Sequence, residues 1–176
     1  MELELKRGGR TARVETLGGE LVSYRDERGL EYIWGGDPAY WPGRNPLLFP
    51  IVGMLKEGKI RFDGREYAME RHGFARRREF TPAARGEDWV RLELRESAET
   101  LALYPYSFRL AVEQRLTDTG FSTAVTVANP GEGPLPFCLG AHTGFRCPLE
   151  AGERFEDYEL VFPERESCPT LLLRDG

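Results

Sequence analysis

Cysteine and histidine are scarce in this chain, with three and two copies among 176 residues. Cys138, Cys147 and Cys168 are an odd number without Cys-x-x-Cys spacing, which argues against a disulfide framework and for thiols in a reducing compartment. No apolar run approaches the ~18 residues of a membrane helix, and the start, Met1-Glu-Leu-Glu-Leu-Lys-Arg7, lacks the apolar centre of a signal peptide. A cytoplasmic protein with no membrane partner is the expectation. Basic residues are not in excess either: 24 Lys and Arg stand against 29 Asp and Glu, for a net charge of −5. That balance disfavours attraction to a phosphate backbone, and the one basic run, Arg76-Arg-Arg78, is too short to reverse it, so no nucleic-acid partner is expected. Also missing are a fixed-period repeat, a low-complexity tract, an interdomain linker and any apolar helical periodicity sustained over three turns. One domain over 1–176 is the expectation, and a chain of this length buries roughly 70 % of its unfolded surface without disulfides or metal.

What is present is alternation. Trp89–Arg95 puts Val90, Leu92 and Leu94 on one face and charged residues on the other. Phe108–Leu116 aligns Phe108, Leu110, Val112 and Leu116, Phe121–Val127 aligns Phe121, Val125 and Val127, and Asp118-Thr-Gly120 turns the chain between them. Asp63-Gly64, between Lys59–Phe62 and Arg65–Tyr67, is the dipeptide of a two-residue hairpin turn. Gly18-Gly19 predicts another hairpin and Asp26–Gly29 a further turn. Prolines 38, 42, 46, 50, 130, 134 and 136 interrupt what remains. The pattern predicts an all-β antiparallel sandwich. Two segments, Trp41–Gly53 and Pro134–Pro148, are too proline-rich for central strands and too apolar for ordinary loops, so they are expected to line a cleft.

Both histidines sit beside glycine and phenylalanine, in Arg71-His-Gly-Phe-Ala-Arg76 and Gly140-Ala-His-Thr-Gly-Phe145. An imidazole titrates near neutrality and serves as acid or base with little tuning; the alternative for each is a hydrogen-bonded loop or core side chain. Arg44, Asn45, Arg76, Trp34, Trp41 and Phe145 have the chemistry of a sugar pocket, in which aromatic faces meet C–H groups and polar groups meet hydroxyls. The competing reading makes Trp34 and Phe145 core and Arg76-Arg-Arg78 a solvated face. A zinc site from His72, His142 and Cys138 or Cys147 lacks the usual short ligand spacing.

Taken in order, Asn45-Pro-Leu-Leu-Phe-Pro-Ile-Val-Gly53, Lys56-Glu-Gly-Lys59, Asp63-Gly64, Arg71-His-Gly-Phe-Ala-Arg76, Glu99-Thr100, Tyr104-Pro105 and Gly140-Ala-His142 with Phe145 resemble the aldose 1-epimerases, or mutarotases, and above all their LacX-like and hexose-phosphate branches. The resemblance implies a large galactose mutarotase-like β-sandwich that interconverts the α and β anomers of a hexose or hexose phosphate without a cofactor. It implies that His142 is the acid for the ring oxygen and that His72 binds the sugar, with Arg44, Asn45, Arg76 and Phe145 as further substrate-binding residues. Arginine there would also suit a sugar phosphate through paired N–H donors.

Three departures accompany the likeness. Thr143 stands where relatives have proline, which removes a fixed φ beside His142. Met54 stands where many LacX-like relatives have arginine. The family's glutamate base lies on a strand beyond position 176, so no residue here matches it, and Glu156, Asp157 and Glu159 are the stand-ins. The expectation is therefore a C-terminally truncated fold. The apolar triplet Leu171–Leu173 near the end predicts an open strand edge that self-associates as a homo-oligomer or closes over a smaller core. A non-catalytic carbohydrate-binding sandwich is the alternative function.

Overall fold

Leu3 and Leu5 alternate with Glu2, Glu4 and Lys6, and Glu2–Arg7 is strand β1 of the computed structural model, which describes residues 1–165, 167 and 169. It pairs antiparallel with β2 (Arg10–Glu15), which pairs with β3 (Glu20–Arg25) around the expected Gly18-Gly19 turn. Both glycines have positive φ, +73° and +64°, the region that side chains disfavour. Next come the two-residue β4 (Leu47–Leu48) and the hairpin β5 (Lys59–Phe62) and β6 (Arg65–Ala68), closed by Asp63-Gly64 with φ of +47° and +79°. Positive φ at both turn residues matches the twist of the flanking strands.

A four-stranded antiparallel sheet follows in the order β10-β9-β8-β7, built from β7 (Thr81–Arg85), β8 (Trp89–Arg95), β9 (Arg109–Leu116) and β10 (Phe121–Ala128). A single helical turn, α1 (Ala98–Leu101), is capped by Ser97, whose hydroxyl and amide pair with the Thr100 amide and hydroxyl. The short β11 (Gly140–Ala141) lies against β4. No helix among the described residues is long and apolar enough to cross a membrane. Cys168 and Leu171–Leu173 lie outside the described residues.

The architecture is the all-β antiparallel sandwich that alternation predicts. Leu3, Leu5, Ala12, Val14 and Leu21 of the three-stranded sheet share one buried cluster with Val90, Leu92, Leu94, Leu110, Val112 and Leu116 of the four-stranded sheet. Gln114 is the polar exception on the buried face of β9. Its amide donates to the Gly19 carbonyl at 2.9 Å and accepts from the Thr123 hydroxyl at 2.6 Å, so it tethers the sheets with its polar atoms satisfied. An aromatic knot of Phe49, Phe62, Phe74, Tyr104 and Phe108 closes one end. Tyr104 is fully buried and donates to the Pro136 carbonyl at 2.8 Å, which anchors the second irregular segment. Burial, with Tyr106 nearby, pushes its phenol pKa well up.

The two edges of the larger sheet differ. β7 carries Pro82, Arg85 and a bulge, all devices that discourage a further strand. β10 has the sequence Phe-Ser-Thr-Ala-Val-Thr-Val-Ala, without charge, proline or glycine, and only its β9 side is paired among the described residues.

Glu31 fastens the chain after β3. It accepts from Tyr24 N at 2.9 Å, Ile33 N at 3.0 Å, Arg25 Nε at 3.2 Å and the Ser23 hydroxyl. Burial would raise its pKa, but these donors outweigh burial and the value lies below the ordinary carboxylate range. A lowered folded pKa gives stability that is present above the unfolded value, about 4.3, and lost as pH falls through the folded one. Glu31→Gln should cost about 2 kcal/mol at pH 7 and flatten the acid limb of stability against pH. Urea unfolding at several pH values checks this, and an unchanged limb would show that the network is not pH-linked.

Candidate active site

Three segments without regular structure meet at the end of the sandwich that bears β4 and β11. Trp41–Gly53 and Pro134–Pro148 run together: Cys138 N–H donates to Pro50 O at 2.8 Å, His142 N–H to Pro46 O at 3.1 Å and Gly144 N–H to Arg44 O at 2.7 Å. The third segment, Glu70–Ala75, is tied to the first by the amides of Phe74 and Ala75, which both donate to Phe49 O, at 3.0 and 3.2 Å. The cleft-lining role expected for the two proline-rich segments is met by this convergence. Prolines suit it, because each lacks the N–H that a sheet ladder would need.

His72 and His142 come together although 70 positions separate them in sequence. Their rings are near-parallel, 21° apart in plane with centroids at 6.5 Å. His142 is exposed, and Trp41 meets it edge-on at 4.9 Å. His72 is half-buried and exchanges two bonds with Gly53: its N–H donates to Gly53 O at 2.8 Å, and its Nδ1 accepts from Gly53 N–H at 3.0 Å. An accepting Nδ1 leaves the neutral ring's proton on Nε2, so His72 is a donor at its free nitrogen. Burial, then the charges of Arg71 and Arg76 and the nearby His142, hold its pKa below the usual imidazole value. His72 also has a φ of +67° and is followed by Gly73 at +71°, a reversal that turns the side chain back onto Gly53.

The tryptophans form a wall beside His142. Trp34 Nε1 donates to Trp41 O at 2.8 Å, and Trp34 N–H donates to Gly144 O at 2.9 Å. A Cβ on Gly144 would sit 2.8 Å from Trp41 and 3.0 Å from Trp34, so only glycine permits this close approach.

The remaining sequence-predicted residues lie elsewhere around this pair. Thr143 and Phe145 occupy the opposite face of the extended segment from His142 and Gly144. With Asn45 they border a second cavity of about 300 Å³, which Tyr24, Tyr32 and Phe121 also line. Phe145 is 67 % exposed. Asn45 Oδ1 accepts from Thr143 Oγ1 at 2.6 Å, a tie that proline at 143 would not make. The Arg44 guanidinium is directed to the Gly35 carbonyl at 3.3 Å and Glu15 at 4.0 Å. Arg76 donates to Arg71 O at 2.8 Å, while its Nε is buried without a partner. Burial, then Arg77 and Arg71, lower its pKa against the raising effect of Glu70.

Among the described residues no group of three or more His, Cys, Asp or Glu side chains is placed to hold a metal ion, and Cys138 and Cys147 are exposed thiols. Asp157 accepts from the Arg154 amide at 2.8 Å and pairs with its guanidinium, while Glu156 and Glu159 are exposed. Sequence reasoning missed Gly53 and Glu20. Glu20, at the start of β3, accepts from the amides of both Arg44 and Asn45. An acid after a Gly-Gly turn carries no local sign of such a distant partner.

The arrangement has close counterparts among known proteins. The plasmid and chromosomal LacX proteins of Lactococcus lactis are each 41 % identical to it over 174 residues, which is 96 % of this chain and 58 % of theirs. A galactose mutarotase related enzyme from Lactobacillus acidophilus superposes with a TM-score of 0.86 at 28 % identity, over 89 % of this chain and 53 % of that one. A galactose mutarotase-like protein from Lactobacillus casei gives 0.81 at 33 % identity, over 86 % and 52 %. The fold is thus galactose mutarotase-like, and the chain spans between half and three-fifths of the length of these relatives. The aldose 1-epimerase family model matches residues 1–173, and the chain belongs to that family.

Proposed function

We propose that the wall formed by His72, His142 and Trp41 binds an aldohexose, free or phosphorylated, and that His142 supplies the proton that opens its ring. The near-parallel imidazole pair at 6.5 Å carries this reading, because it sets two groups of different character side by side. His72 is held neutral and donates from Nε2 to a sugar oxygen near the anomeric centre. His142, exposed to solvent, protonates the ring oxygen while the anomeric hydroxyl loses its proton to a base. The bond from C1 to the ring oxygen breaks and an aldehyde forms. Rotation about C1–C2 and reclosure give the other anomer, and both protons return. Trp41 offers an apolar surface to the sugar's C–H groups. Arg76, with its unpartnered Nε beside Arg71 and Arg77, supplies the positive field that favours a phosphorylated substrate.

A second reading, sugar binding without turnover, draws support from the absence among the described residues of a carboxylate clustered with the two imidazoles. Exchange NMR on α-glucose, α-galactose and glucose 6-phosphate, run beside tryptophan fluorescence titrations, separates the two. Saturable exchange above the buffer rate is expected. Quenching with exchange at the blank rate selects the binding module, and neither signal with any sugar ends both readings.

The uncharged edge of β10 supports self-pairing with a second copy of the chain, since nothing in the strand repels an incoming strand. Light scattering should give a dimer, and Thr126→Lys, a charge on an exposed edge position, should return it to monomer. A wild-type monomer at every concentration tested rules the pairing out.

A further inference from the structure

Glu20 is the first residue of β3, far in sequence from either histidine, and its carboxylate engages backbone rather than side chains. One oxygen, Oε1, accepts from Arg44 N–H at 3.0 Å and from Asn45 N–H at 2.6 Å. Among the described residues it has no ion-pair partner, although Arg44 is its neighbour: the Arg44 guanidinium lies toward Gly35 O and Glu15. The next residue, Pro46, has no N–H, so the chain at 44–46 offers only these two amides to an anchor, and Glu20 takes both.

The same three residues carry the His142 segment. Arg44 O accepts from Gly144 N–H at 2.7 Å, Pro46 O accepts from His142 N–H at 3.1 Å, and Asn45 Oδ1 accepts from Thr143 Oγ1 at 2.6 Å. Residues 142, 143 and 144 therefore each hang from 44–46, which hangs in turn from Glu20. The three-stranded sheet reaches the imidazole at 142 through this single carboxylate oxygen.

We propose that Glu20 is a positioning residue for His142, setting the distance of its ring from His72 and Trp41. The inference rests on the proposed role of His142 as the acid, but the placement itself is measurable without catalysis. Charge is not what the two amides require, only an acceptor at that point in space. Glutamine therefore keeps the contact in weakened form and alanine removes it. A shift of about 1 Å in a reacting group is enough to cost on the order of 10²-fold in rate.

The chain has only two histidines, so 15N-labelled protein gives two imidazole signal sets, each followed as pH is changed. Glu20→Ala should move the His142 ring shifts and alter its titration while leaving those of His72 in place, and Glu20→Gln should restore most of the wild-type pattern. In the exchange assay, Glu20→Ala should lower kcat about 10- to 100-fold with KM changed less than 3-fold. Should the alanine variant not fold, Glu20→Asp, which withdraws the oxygen by one methylene, must displace the same His142 signals. His142 signals that match wild type in folded Glu20→Ala, or in Glu20→Asp where alanine does not fold, would overturn the proposal. So would displacement of both histidines equally. If the spectra change as expected while no variant, wild type included, exchanges anomers, the positioning stands and the acid role of His142 is what fails.

Discussion

Replacing Gly73 with alanine should unfold most of the protein's margin of stability. A Cβ there would lie 2.2 Å from Phe49 O, 2.5 Å from Phe49 C and 2.7 Å from Pro50 N, all backbone atoms with no rotamer to escape into. Its φ of +71° is also one that L side chains avoid. Phe49 cannot retreat, because it is fully buried in the aromatic knot and its carbonyl already accepts from Phe74 and Ala75. The expected cost is about 4 kcal/mol or more, against a total of roughly 5–15 kcal/mol for a typical domain. Gly64→Ala is the control. Its φ of +79° is similarly unfavourable, but no atom lies within 4 Å of the added Cβ, so about 1 kcal/mol is expected. Thermal or urea unfolding of the pair measures the difference, and equal losses would mean that backbone conformation alone, not the contact with Phe49, requires glycine at 73.

His142→Asn should lower anomer exchange by about 10²- to 10⁴-fold, the range associated with one positioned acid, while sugar-induced tryptophan quenching persists. His72→Asn should weaken the quenching too, because it removes the group that we assign to sugar binding. The pH dependence separates the histidines further. The folded pKa of His72 lies below the unfolded value of about 6.5, so its neutral form is the one the fold favours. Stability should therefore begin to fall as pH drops below about 6.5, with the loss complete once pH is below the folded pKa. Protonation also places a hydrogen on Nδ1 against the Gly53 N–H, so sugar affinity should fall over the same window. Quenching that stays constant from pH 8 to pH 5 would remove His72 from the binding wall.

The elements read easily from sequence are those whose cause is local. Leu92 and Leu94 alternate with charge, Asp63-Gly64 and Gly18-Gly19 supply positive φ, and the corresponding strands and turns are present. β1 was passed over because its alternation rests on only two apolar residues, Leu3 and Leu5. β7 gives no signal at all: its five residues are all exposed, one is proline, and it exists by pairing with β8. β4 and β11 are two residues each and owe their form to each other. The same division holds at the site. The glycine and proline context marked the segments that carry the histidines, but the 6.5 Å approach of the rings is set by hydrogen bonds spanning up to about a hundred positions of chain. Nor does composition tell which way Asn45 and Phe145 face, since that follows from the phase of an extended segment rather than from residue type.

That phase has a further consequence. From His142 to Phe145 the chain presents its even-numbered residues to the tryptophans and its odd-numbered ones to the aromatic cavity. Inserting or deleting one residue between Gly140 and Phe145 would trade the two sets, carrying a phenyl ring to the imidazole's station and the imidazole into an oily recess. Length in this stretch can change only in steps of two, so the chemistry on one side and the packing on the other must evolve as a single unit.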